Sequence, residues 1–400
     1  MSSNIDSKEN KKIKIALVAG EESGDQLGAS LIKDLKRIFP SSSFIGVGGS
    51  KMQQEGLDSF FEMKKISVMG IIEPLFKISE LLTLRKKLKE YLSAEAPDIF
   101  IGIDSPDFNL AISRHLKMQK IKTVQYVSPS IWAWRKGRIK TIEKSVDKVL
   151  TLFPFELLAY SESSVEASFV GHPLAHKIPR VLNKESIRNT KFHLNEGEKM
   201  IALLPGSRKS EVKMIGEVLL KTAKLIKELE ENACFFMPLA DIGHKELIPN
   251  WQDYPWVNFS EKNAQDVLAG SHLGIVTSGT ASLEAALFKT PVVVVYKTSW
   301  ITYLLVKPLL RIKQFSLPNL LAGSSILPEL LQYEVTDKNL FNAYKDLENN
   351  SSHHAIAAFE KIHSELKADG PDTAAKVCLL YTSDAADERS SVDLGGRRII

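Results

Sequence analysis

Cysteine is nearly absent. Cys234 and Cys378 are the only two in 400 residues, and thiols without companion ligands at metal-binding spacing exclude a disulfide framework and a structural zinc site, which fits a reducing compartment. Long apolar runs are missing too. No window reaches the roughly 18 uncharged apolar residues of a membrane span, and the polar, lysine-rich stretch 1–12 lacks the apolar core of a signal peptide. The chain therefore reads as soluble or peripheral. Charge of one sign is scarce: 52 basic against 48 acidic residues leave a net charge of +4, and no nucleic-acid partner is expected. Three nucleotide and hydrolase signatures are also lacking. There is no G-x-G-x-x-G after a strand, no lysine after the glycine of Ser278-Gly279-Thr280 to make a Walker loop, and no G-x-S-x-G elbow around Ser278. These absences weigh against a dinucleotide reductase, ATP-driven phosphoryl transfer and a serine hydrolase.

What is there is an ordinary globular composition, 44% hydrophobic and 25% charged, long enough for two domains. Strand and helix signals alternate in both halves, the pattern of an α/β protein with doubly wound parallel sheets. Strands are expected at 14–19, 43–47, 99–103, 123–127 and 148–152, and again at 201–204, 233–237, 273–276 and 291–296. A helix carrying Leu27, Leu31, Leu35 and Ile38 follows the first. Around 171–195 prolines and polar residues interrupt the alternation. This divides the chain into a first domain over 13–180 and a second over 195–345, with closing helices over 346–377. From Cys378 the text CLLYTSDAADERSSVDLGGRRII loses helical periodicity and resembles a translated library adapter, so 378–400 is set apart as a non-native tail.

In doubly wound sheets ligands bind beyond the carboxyl ends of the strands, so the loops there are where chemistry is sought. After the first strand, Gly20, Glu21, Ser23, Gly24 and Asp25 form a small-residue loop opening a helix. It suits a closely approaching donor or acceptor, or equally a tight turn in which Ser23 or Asp25 caps the helix. Asp104 ends a central strand in Gly102-Ile103-Asp104-Ser105-Pro106-Asp107-Phe108-Asn109. A general base would stand at such a position, and partial desolvation would raise its pKa towards a working value. The plainer reading is a turn or cap before Pro106, for which Asp107 is better suited. In the second half, Arg208 lies in a glycine-bearing loop before a helix, a bidentate fork for phosphate oxygens. Ser278, Gly279 and Thr280 could cradle a diphosphate at the next helix start, with Glu284 one turn along to hold a ribose diol.

Other features have two readings. Trp132 and Trp134 fit a sugar platform or acyl channel, or the core; His172 fits a ligand-facing or a structural role. The segment containing Val68, Met69, Ile71, Ile72, Leu75 and Phe76, followed by the basic run Arg85-Lys86-Lys87, fits an anionic membrane surface or a core helix with a solvated edge. The stretch from Trp300 to Lys313 allows the same pair of readings.

Nine ordered motifs, AGEESGDQLGA, GVGG, VMGIIEPL, GIDSPDFN, YVSPSIWAW, VGHP, LLPGSRKSEV, TSGTASLE and LPNLLAG, span about 14–376. Together they resemble the lipid-A-disaccharide synthases. The resemblance implies a GT-B fold, two facing Rossmann-like domains with a cleft between them. It also implies an inverting, metal-independent transfer, without a cofactor, of 2,3-diacylglucosamine from UDP to 2,3-diacylglucosamine 1-phosphate (lipid X). By the same matching Asp104 is the base, and Arg208, Ser278, Gly279, Thr280, Glu284 and Asn319 belong to the UDP site. The resemblance further implies that the Val68–Phe76 region contacts the cytoplasmic face of an anionic inner membrane, and that the C-terminal helices pack back or are swapped in a homodimer. The alternatives are another GT-B enzyme, such as a UDP-GlcNAc epimerase or transferase, and a non-catalytic membrane-surface module.

Overall fold

The computed structural model describes residues 13–66, 74–131, 136–300, 303, 314–370 and 372–378. Val68, Met69, Ile71, Ile72, Trp132, Trp134 and most of the stretch from Trp300 to Lys313 therefore lie outside the described residues, as does the proposed tail beyond Cys378. Leu75 and Phe76 fall in the first turn of a described helix.

The chain forms two units, residues 1–173 with 367–400, and residues 174–366. In the first, β1 (Lys14–Ala19), β2 (Ser43–Val47), β3 (Leu57–Ser59), β4 (Ile99–Ile103), β5 (Lys122–Tyr126), β6 (Lys148–Thr151) and β7 (Glu166–Phe169) make one sheet in the order β3-β2-β1-β4-β5-β6-β7. In the second, β8 (Lys199–Leu204), β9 (Ala233–Leu239), β10 (Val257–Glu261), β11 (Leu273–Thr277), β12 (Val292–Tyr296) and β13 (Glu329–Leu331) run β10-β9-β8-β11-β12-β13. Every pairing is parallel. Both orders double back at one place, between β1 and β4 and between β8 and β11, the switch points of a Rossmann-like sheet. The fold is of the GT-B class.

Why these segments form central strands is visible in their burial. Ile15, Leu17 and Ala19 of β1 join Ile99, Ile101 and Ile103 of β4 on one face, against helix α1 (Glu22–Ile38) through Leu31, Ile32 and Leu35. Ala16, Val18 and Phe100 point to the other face, against α3 (Pro74–Glu95) and α4 (Pro106–Met118) through Leu88, Leu92, Phe108 and Ile112. A strand covered on both faces needs apolar residues at every position, which is why these runs do not alternate. The four short strands unmarked in the sequence, β3, β7, β10 and β13, are or adjoin sheet edges, where the demand for apolar residues is weaker.

The chain end is helical over 352–365 and again over 373–378. Helix Ser352–Glu365 packs within the second unit, whereas the helical residues 373–378 return to the first. Ala374, Ala375 and Cys378 join the β1–β4 core, and Cys378 is 2% exposed beside a small cavity lined also by Ile13, Leu35, Phe39 and Ile101. Position 378 thus packs against this core. Burial pushes its thiol up to about 12, so it stays protonated and inert.

Candidate functional site

The loops after β1 and β4 meet at the first switch point. A side chain on Gly20 would fall 2.4 Å from Ser105 Oγ, so only glycine allows the two turns to touch. Gly24, on the first turn of α1, packs 3.6 Å from the Ile103 carbonyl by the same measure. Asp104 and Ser105 both adopt left-handed backbone, φ 51° and 39°. Pro106 then opens α4 with no side-chain cap. Asp107 does not cap either; its carboxylate pairs with Arg138. Burial raises the Asp104 pKa above the usual carboxylate range, opposed by a backbone hydrogen bond from Ser105. A partly desolvated carboxylate at the carboxyl end of a central strand has the basicity and placement for proton removal.

One site expectation in this unit changes. Asp25 is buried and accepts backbone N–H bonds from Gly49 (2.8 Å), Met52 (3.0 Å) and Lys51 (3.1 Å), which ties the β1 loop to the loop after β2. It is a brace, with no carboxylate oxygen turned to solvent. Glu21 and Ser23 remain exposed at the start of α1. His172 is structural: it is buried, stacks on Phe153 with ring centroids 5.7 Å apart, and burial lowers its pKa to about 4.

At the second switch point, Thr277 Oγ1 donates to the Leu204 carbonyl (3.1 Å), fixing the ends of β11 and β8 side by side. The loop after β8 bends at Gly206, φ 108°, where a side chain would collide with the Glu211 carboxylate. Glu211 folds back to accept the Arg208 amide (3.2 Å) at the start of α8 (Lys209–Leu229), and lies 3.6 Å from the Arg208 guanidinium. The Arg208 side chain itself is 77% exposed. After β11, Gly279 has φ 149° with open space among the described residues where a side chain would stand, and Thr280 begins α10 (Thr280–Leu287) exposed. Gly279 and Thr280 are exposed, and a helix start of this kind favours an anion. Ser278 donates to the Phe315 carbonyl (3.3 Å). Glu284 accepts from Gln265 (2.8 Å), and burial raises its pKa while Gln265 and then Lys177 oppose the rise.

Asn319 differs from expectation. It is fully buried, donates to the Leu327 carbonyl (2.9 Å) and Glu329 (2.8 Å), and accepts from the Ile326 and Leu327 amides (both 2.9 Å). All its polar capacity holds the 315–329 loop, whose Phe315 carbonyl meets Ser278. Gln265, Thr277 and Glu211, which orient the expected residues, were not singled out in the sequence. Among the described residues no group of three or more His, Cys, Asp or Glu could hold a metal ion.

The sequence profile of the lipid-A-disaccharide synthetase family matches residues 15–376. The chain belongs to the lipid-A-disaccharide synthase family. The lipid-A-disaccharide synthase of Dechloromonas aromatica is 43% identical over 378 residues, covering 92% of this chain and 98% of that protein. That of Idiomarina loihiensis is 41% identical over 372 residues, with the same shares. Solved structures with similar folds are far more distant in sequence. The UDP-GlcNAc 2-epimerase of Neisseria meningitidis bound to UDP-GlcNAc is 14% identical, covering 94% of this chain and all of that one, with a TM-score of 0.62. A kitacinnamycin glycotransferase, also 14% identical, covers 92% and 98% with a TM-score of 0.64. These two share the fold. Membership of the synthase family makes the chain a glycosyltransferase of lipid A biosynthesis.

Proposed function

We propose that the protein joins 2,3-diacylglucosamine, carried on UDP, to the 6-hydroxyl of 2,3-diacylglucosamine 1-phosphate. The product is a β-1,6-linked disaccharide 1-phosphate, and UDP is released. The bond from the anomeric carbon to the diphosphate oxygen breaks, its electron pair leaving with UDP. A bond from the acceptor oxygen forms on the opposite face, inverting the centre, and the hydroxyl proton passes to Asp104. The observation that carries this reading is the left-handed, partly desolvated Asp104 at the first switch point.

At the second switch point, the exposed Arg208 guanidinium and the exposed helix start at Gly279 and Thr280 offer positive charge where the diphosphate develops negative charge. Such fixed charge stabilises a leaving group directly, so the transfer is proposed to run without a metal. Glu284, held by Gln265, is assigned to the ribose, and Asn319 to shaping the loop beside Ser278. The acyl chains require a lipid surface. Among the described residues no helix is long and apolar enough to cross a membrane, but Leu82 and Phe60 are exposed on the unit that carries the basic residues Arg85, Lys86 and Lys87 of α3. Peripheral attachment at the cytoplasmic face of an anionic inner membrane is the reading these residues support.

The test is incubation with UDP-2,3-diacylglucosamine and 2,3-diacylglucosamine 1-phosphate. Disaccharide and UDP in equal amounts support the assignment. Epimerised UDP-sugar without disaccharide would instead place the chain with its distant structural neighbours.

A further inference from the structure

Two buried amides converge on the backbone of Asp104. Asn109, in the first turn of α4, donates Nδ2 to the carbonyls of Asp104 (2.9 Å), Val18 (3.2 Å) and Ile103 (3.2 Å). Gln125, from the middle of β5, donates Nε2 to the carbonyls of Asp104 (3.0 Å) and Val127 (3.3 Å). Both residues are fully buried. All these partners are acceptors, so the orientation of each amide is fixed. Among the described residues their own oxygens, Asn109 Oδ1 and Gln125 Oε1, meet no hydrogen-bond donor. A buried amide satisfied on one side only is unfavourable, so packing alone does not account for the arrangement.

What the amides grip is strained. Asp104 and Ser105 are left-handed, and so is Val127, φ 76°, a β-branched residue that rarely takes this conformation. Such residues are unfavourable and persist only where their surroundings hold them there. The room for the grip comes from Gly102, where a side chain would lie 2.9 Å from Asn109 Cβ and 3.0 Å from Gln125 Oε1. The ends of β1, β4 and β5 are thereby clamped at one point. The carbonyl they share is that of Asp104.

We propose that Asn109 and Gln125 are positioning residues for the transfer reaction, locking the Asp104–Ser105 turn left-handed and so aiming the Asp104 carboxylate at the acceptor hydroxyl. This rests on Asp104 being the base. Neither amide touches substrate; both act through the direction of the Asp104 Cα–Cβ bond, which a relaxed backbone would change.

Gln125→Met and Asn109→Leu remove the donors at near-constant volume. Assayed with both diacylated substrates, each should lower kcat by about 30- to 100-fold with KM held within about twofold, the mark of a misplaced group rather than lost binding. UDP affinity by calorimetry should not change. Combined with Asp104→Asn, neither should lower the residual rate further, because no base is left to aim. Adding Ser105→Gly to Gln125→Met should restore about tenfold in kcat, since glycine takes the left-handed turn unaided. Wild-type kcat in both single variants overturns the proposal, as does an undiminished further loss in the Asp104→Asn background. Should Asn109→Leu fail to fold, Asn109→Ser retains one donor, and its kcat should fall about tenfold; an unchanged kcat there also overturns it. Full turnover by Asp104→Asn alone refutes the base assignment instead, so the two failures are read from different variants.

Discussion

The two switch points are built in opposite styles. In the first unit the loops after β1 and β4 are closed against each other: Gly20 touches Ser105, Asp25 is braced by three amides, and Asp104 sits in a strained turn gripped by Asn109 and Gln125. In the second, the corresponding loops present an exposed Arg208 and an open glycine at 279, with Glu211, Gln265 and Asn319 fastening them from behind. The contrast matches the roles proposed for the two places. Proton removal tolerates little error in position, while a flexible, highly charged diphosphate is captured by fields that vary slowly with distance.

Replacing the proposed base should break the contrast most sharply. Asp104→Asn is expected to lower turnover by about 10²–10⁴-fold, with UDP affinity by calorimetry unchanged; a turnover near wild type removes Asp104 from the chemistry. Because burial raises its pKa and the base must be ionised, activity should fall as the pH drops through a value above the usual carboxylate range. An acid limb of the kcat/KM profile at or below about pH 4 contradicts the desolvated setting.

Asn319→Leu comes next, now on the second unit's side. It strands the Ile326 and Leu327 amides and the Leu327 carbonyl, a loss of about 3 kcal/mol in denaturant unfolding, with UDP binding weakened through the 315–329 loop. Unaltered stability means the loop is held by other contacts. His172 gives a smaller, pH-dependent effect. It stays neutral in the fold down to about pH 4 but takes a proton near 6.5 once unfolded, so acid between those values favours the unfolded chain by roughly 2–3 kcal/mol. His172→Gln should flatten the stability profile over that window relative to wild type; His272, lowered likewise, is common to both proteins. Arg208→Ala is expected to reduce UDP affinity by about tenfold, the smallest change, because the exposed guanidinium is screened and already faces Glu211. An effect far larger would mean that the open site closes around its ligand.

Much of the architecture was legible because buried parallel strands leave a strong mark. The continuous apolar runs at 14–19, 99–103 and 273–276 correspond to β1, β4 and β11 within a residue. The short β3 and β13 left none, being only three residues each with few buried positions. The position of Asp104, the Arg208 loop and the Ser278–Thr280 loop could be read from the small and polar residues at the carboxyl end of each strand. Side-chain direction could not. Asp25 reads as a ligand residue from its loop and Asn319 from the family resemblance, yet one is claimed by amides of Gly49 to Met52 and the other by a loop wrapped around it. Gln125 does carry a signal in the sequence, a polar residue in the middle of a buried strand.

The return of residues 373–378 to the first unit has a temporal meaning. The second unit is an insertion whose two ends both belong to the first, so during synthesis residues 174–366 are complete before the strip of core around Ile13, Leu35 and Ile101 receives its cover of Ala374, Ala375 and Cys378. Until that short helix arrives, an apolar strip of the first unit stays open to water. The unit that begins folding first is therefore the last to be sealed.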